Sequence, residues 1–106
     1  MNTERIETLR AEIDEINTEL LGLISRRLEL SVQIGALKQE SRLPLYSEDR
    51  ERDLIDRFRM AAEALDIDPD YAAELMTVVL VHSRAAQHKT NSAAIEEMDD
   101  GVSGSA

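Results

Sequence analysis

Ten positions in the first forty residues recur at alternating spacings of three and four: Ile6, Leu9, Ile13, Ile16, Leu20, Leu23, Arg27, Leu30, Ile34 and Leu37. That rhythm is a heptad seam, which puts every member on one face of a helix. Leu21, Ile24, Leu28 and Val32 widen the stripe, so a second side of the helix needs covering as well. The spacing predicts one helix from about Thr3 to about Glu40, roughly 55 Å long at about 1.5 Å per residue. A compact domain of about 100 residues has a radius of gyration near about 13 Å. What remains of the chain is too short to cover such a rod from end to end. The seam is therefore expected to meet another chain, and the economical partner is a second copy. Gly22 and Gly35 lie inside the helix at a cost in propensity, which suggests close packing or room for something bound.

Pro44 breaks the pattern within Ser41–Tyr46, because the residue before a proline is pushed out of the helical region. Ser47 is then a good N-cap for a second helix, with Glu48 and Asp49 in its first turn. That helix is expected over about 47–65, with Leu54, Ile55, Phe58, Ala62 and Leu65 on its apolar face. Asp68 caps a third helix and Pro69 takes its first position. This helix is expected over about 69–88, on Ala72, Leu75, Met76, Val79, Leu80 and Ala86. No strand pattern and no internal repeat occurs. The predicted fold is all-α, with three helices in one domain over residues 1–88. Residues 89–106, with Glu96-Glu97, Asp99-Asp100 and a Gly/Ser-rich end, are expected to form a disordered acidic tail.

Composition removes whole classes of function. The chain has 106 residues, 22 acidic and 12 basic, for a formal charge of −10. Such a surface repels nucleic acid and anionic membrane, so neither is expected as a partner. The absence of cysteine excludes disulfides, thiolate metal sites and cysteine nucleophiles. No stretch approaches the roughly 20 apolar residues of a membrane span, and Met1–Arg5 lacks the apolar run of a secretory signal. A cytoplasmic protein is expected. Lysine is scarce beside arginine, and an acidic, lysine-poor surface is compatible with a salt-loving cytoplasm. His82 and His88 are six apart on one helix and share no face, so no metal site is expected. No glycine-rich phosphate loop, nucleophile elbow or helical zinc motif is present, and no cofactor is expected.

Function shows where polar residues interrupt apolar stripes. Arg27 sits on the seam, where an unpaired buried charge is costly, so it needs an anionic partner from the protein or from a ligand. The alternative is an arginine that sets helix register. Lys38 lies three turns further along nearly the same face, where a helix-end lysine also suits the dipole. Arg50 and Glu51 each precede a core residue of helix two by one turn. Ser83 follows Val79 by four and Gln87 follows Ser83 by four, so two neutral hydrogen-bonding groups extend a core stripe of helix three. Either alone reads as a satisfied core polar group. Together, a basic cluster of Arg27, Lys38 and Arg50 in so acidic a chain points to a bound anion of about two negative charges. Arg10 is about 25 Å from Arg27 along the axis and turned by roughly a quarter circle. It can serve such a pocket only in a partner chain.

These residues resemble the all-helical chorismate mutases. The matching features are Leu9-Arg10, Arg27, Gly35-Ala36-Leu37-Lys38, Asp49-Arg50-Glu51-Arg52, and Ser83 with Gln87. The resemblance covers about Ile6 to Gln87 and rests on the ordered set, since no single motif is specific. It implies an intertwined homodimeric helical bundle with two sites that converts chorismate to prephenate. It further implies that Arg27 and the partner copy's Arg10 clamp the substrate carboxylates, and that Lys38 and Gln87 bond the ether oxygen. Glu51 holds the ring hydroxyl, Ser83 assists at a carboxylate and Arg50 supports the site. The family often has aspartate where this chain has Ser47, so Ser47 or Glu48 takes that contact, or Ser47 only caps helix two. An isochorismate pyruvate lyase on the same scaffold and a non-catalytic helical dimerisation module are the alternatives. No attached dehydratase, dehydrogenase or amino-acid-sensing domain is expected.

Overall fold

A computed structural model of the chain describes the backbone of residues 1–105 and the side chains of residues 1–91. Three helices follow in order: α1 (Asn2–Glu40), α2 (Glu48–Ala64) and α3 (Pro69–Ser105). The fold is all-α, with no strand among the described residues. The chain divides into two compact units, Met1–Leu30 and Ser31–Ala106.

The first unit is a single helical rod, the greater part of α1. A lone helix has nothing to bury its stripe against. Ile13, Ile16, Leu20 and Leu23 are accordingly 54, 59, 54 and 67% exposed. Gly22 has open space where a side chain would stand, so close packing within the chain does not account for it.

The second unit holds the end of α1, α2 and α3. Its buried apolar residues are Ala62, Ala72, Ala73 and Leu80. Three alanines among four let α2 and α3 approach closely, but they bury little area each. An exposed ion pair, Arg59 to Asp70 at 2.6 Å, also spans the two helices; at the surface it adds little. Leu65 and Tyr71 remain 71 and 55% exposed around an apolar cleft of about 120 Å³ between the helices.

The helix ends follow from local chemistry. Ser47 is extended (φ −133°, ψ 110°) and its hydroxyl accepts from the Arg50 amide at 3.2 Å, which caps α2. Asp68 accepts from the Asp70 amide at 2.9 Å and caps α3, with Pro69 first in the helix. Both α1 and α2 finish in the same motif. The Leu43 amide donates to the Lys38 carbonyl at 2.8 Å and Arg42 to Gln39 at 3.2 Å; Ile67 donates to Ala62 at 2.9 Å and Asp66 to Glu63 at 3.2 Å. These pairs are Schellman caps. Their left-handed residues are Arg42 (φ 55°) and Asp66 (φ 57°), not the usual glycine.

The expected stop of helix three near His88 is not observed. Helix continues through Lys89, Thr90 and Asn91 and on to Ser105. No proline or glycine stands between Pro69 and Gly101 to end it. The side chains of the remainder of the expected tail, from Ser92, lie outside the described residues.

Candidate functional site

The second unit gathers polar groups from three segments. Ser83 and Gln87 lie one turn apart on α3, and both are buried, at 6 and 9% exposure. The Ser83 hydroxyl donates to the Val79 carbonyl at 2.8 Å, back along its own helix. Gln87 reaches across to α1, where its Nε2 donates to the Ser31 carbonyl at 2.9 Å. Asn91, one turn later, donates to the Gly35 carbonyl at 3.4 Å.

Gly35 explains how α3 comes so near. A Cβ added there would lie 3.0 Å from Gln87 Cγ and 3.1 Å from Gln87 Cβ. Of the two sequence readings of this glycine, close packing is the one observed. A side chain at 35 would push Gln87 off the Ser31 carbonyl.

Lys38 is half-buried one turn beyond Gly35. Its Nζ stands 3.4 Å from the Leu45 carbonyl, a weak bond that ties the end of α1 to the following loop. Of its three donors, two remain for another acceptor. Glu51, in the first turn of α2, is half-buried, with Arg84 Nη1 on its Oε1 at 2.7 Å. The Arg84 guanidinium also covers the Tyr46 ring, 5.0 Å from its centroid. Arg84 joins the connecting loop, α2 and α3, yet the sequence reading passed over it. Its position held the clue, since it follows the buried Leu80 by four and precedes Gln87 by three.

Of the remaining expected site residues, Arg50 and Ser47 lie in the second unit and Arg27 and Arg10 in the first. Arg50 is exposed, its nearest ion-pair partner Asp53 at 3.7 Å. Ser47 is exposed and engaged as the α2 cap. Arg27 is half-buried and Arg10 exposed, both on the helix of the first unit. No cluster of metal-binding side chains is found among the described residues, and no described helix is long and apolar enough to cross a membrane.

The second unit thus presents amide and ammonium donors and a paired carboxylate from three helices, with Ser31 and Gly35 carbonyls fixing the register. These features define an all-helical protein with buried polar side chains bridging its helices. Residues 9–88 match the family described as chorismate mutase type II, and the chain belongs to that family. It is 32% identical over 83 residues to the T-protein of Enterobacter agglomerans, covering 78% of this chain and 22% of that protein. It is 34% identical over 79 residues to the bifunctional chorismate mutase/prephenate dehydratase of Escherichia coli, covering 74% of this chain and 20% of the relative. The chorismate mutase of Methanocaldococcus jannaschii is 26% identical over 84 residues, 79% of this chain and 85% of that one. The chain thus spans about a fifth of the two longer relatives and most of the third.

Proposed function

We propose that this chain is a chorismate mutase, an isomerase that rearranges chorismate to prephenate as a cytoplasmic homodimer without a cofactor. The observation that carries the reading is the contact of Gln87 with α1, which sets a buried amide beside the helix that also bears Lys38. Family membership over residues 9–88 agrees with it.

The reaction suits such a donor set. In a [3,3] rearrangement the ether C–O bond breaks as a C–C bond forms within one molecule, so neither nucleophile nor base is required. Holding the enolpyruvyl arm over the ring removes an entropic barrier. Negative charge grows on the ether oxygen as its bond breaks, and fixed donors aimed there stabilise the transition state more than the ground state. Lys38 and the second N–H of Gln87 take that role. Arg27 and the partner copy's Arg10 hold the two carboxylates, and Ser83 assists at one of them by turning its hydroxyl proton away from the Val79 carbonyl. Glu51 accepts from the ring hydroxyl, and Arg50 supports the site. Ser47 caps α2 by accepting from the Arg50 amide, and its O–H proton stays available to a substrate carboxylate.

The dimer assignment is supported by the α1 stripe. A seam half or more exposed from Ile13 to Leu23 is costly to leave in water, and a second copy presents the same seam in return.

The test is to add purified protein to chorismate and follow loss of its ultraviolet absorbance, at low and at molar salt, with product identification. Prephenate is the expected product. Pyruvate released from isochorismate with chorismate untouched would replace the assignment by a lyase. Inertness toward both would leave a dimerisation module.

A further inference from the structure

Arg84 takes no part in the reaction as proposed, yet it makes the most enclosed ion pair described on α2. Its side chain is 32% exposed and that of Glu51 19%. The neighbouring pairs Arg52–Glu48 and Arg57–Asp53 are 65/70% and 69/48% exposed. Exposed pairs are nearly neutral in energy, whereas an enclosed carboxylate deprived of its cation is costly. The guanidinium Cζ also lies over the Tyr46 ring, 5.0 Å from its centroid. A cation held at once by a carboxylate and over a ring has little freedom left.

The contact uses one oxygen only. Nη1 meets Oε1 at 2.7 Å, and no described donor is paired with Oε2. We propose that Arg84 is a positioning residue that acts through Glu51. It cancels the carboxylate charge that would repel a dianionic substrate, and it orients Oε2 as the acceptor for the substrate hydroxyl. This role rests on the proposed mutase reading and deepens it. It also accounts for a carboxylate standing in a site that must attract two others.

Charge rescue tests the idea. Steady-state kinetics on chorismate would compare the wild type with R84A, R84K, E51Q and the R84A/E51Q double variant at one ionic strength. R84A is expected to raise KM about tenfold and to lower kcat less, because a bare carboxylate opposes binding first. R84K keeps the charge and is expected to stay within about threefold of wild type in KM. In the double variant the amide at 51 is neutral, so KM is expected within about threefold of E51Q alone. A merely structural arginine would show no such rescue. An unchanged KM in R84A, or single effects that multiply in the double variant, would overturn the proposal. R84Q carries the same comparison where R84A does not fold, as judged by circular dichroism. A wild type inert toward chorismate removes the mutase reading and this role together, which is distinct from an active wild type indifferent to Arg84.

Discussion

Gln87 stands against Gly35 with its Cγ 3.0 Å from the place a Cβ would occupy, while its amide donates to Ser31 one turn earlier. One glycine thereby sets both the approach of α3 to α1 and the position of a buried donor. Gly35→Ala adds a methyl against the rigid base of the Gln87 side chain, not its mobile end. Overpacking of this kind costs about 1–3 kcal/mol, against roughly 1 kcal/mol gained in helix propensity. Net destabilisation near about 1 kcal/mol is expected, with at least about a tenfold loss of kcat/KM as the donor is displaced. Gly22→Ala meets nothing within the chain. It is expected to stabilise by about 1 kcal/mol and to leave activity unchanged. Thermal melts and kinetics of the two variants side by side check the contrast.

Lys38 holds the Leu45 carbonyl only at 3.4 Å, so its removal costs the fold little. Lys38→Ala is expected to lower kcat/KM by about a hundredfold or more, the scale of a lost transition-state donor. The melting temperature should move by less than about 3 °C. Arg27→Ala is expected to lose most activity while remaining dimeric. Normal turnover by either variant would argue against the assigned site.

Ser47 separates capping from catalysis. Ser47→Ala removes the acceptor for the Arg50 amide and is expected to cost about 1 kcal/mol of stability. Ser47→Asp keeps a good cap and should restore it. If Ser47 is only a cap, kcat/KM of the alanine variant stays within about twofold of wild type once folding is complete. A larger loss at full helicity would mean a substrate contact.

Leu20 lies in the middle of the seam and is 54% exposed in the single chain. Leu20→Glu loses almost nothing within one chain, but it buries a charge in a seam-to-seam dimer, at a cost of several kcal/mol. Sedimentation is expected to show the wild type as a dimer and the variant as a monomer of low helicity. The wild-type melting temperature should also rise with protein concentration. A wild type sedimenting as a monomer would remove the dimer.

The helices were readable because their causes are local. The three-four spacing of α1, Pro44, Ser47 and the Asp68-Pro69 pair each act within a turn or two of sequence. The ends of α1 and α2 fall within one residue of expectation, at Glu40 and Ala64. The absence of a stop after His88 is equally local, whereas the acidic, Gly/Ser-rich composition of residues 89–106 points toward disorder. Ser83 and Gln87 could be placed on a core face because a polar residue at helical spacing breaks an apolar stripe.

What the sequence by itself determined is therefore the helix inventory, the unsatisfied seam and the polar residues aimed inward. Only the tertiary structure decided that Gly35 admits Gln87, that Gln87 spends a donor on Ser31, and that Arg84 caps Glu51 against Tyr46. Those pairs are 33 to 56 residues apart in the chain, and periodicity carries no phase between helices. Spacing fixes which face a side chain takes on its own helix. Which residue of another helix lies opposite depends on crossing geometry, set by small residues such as Ala62, Ala72 and Gly35 at the contacts.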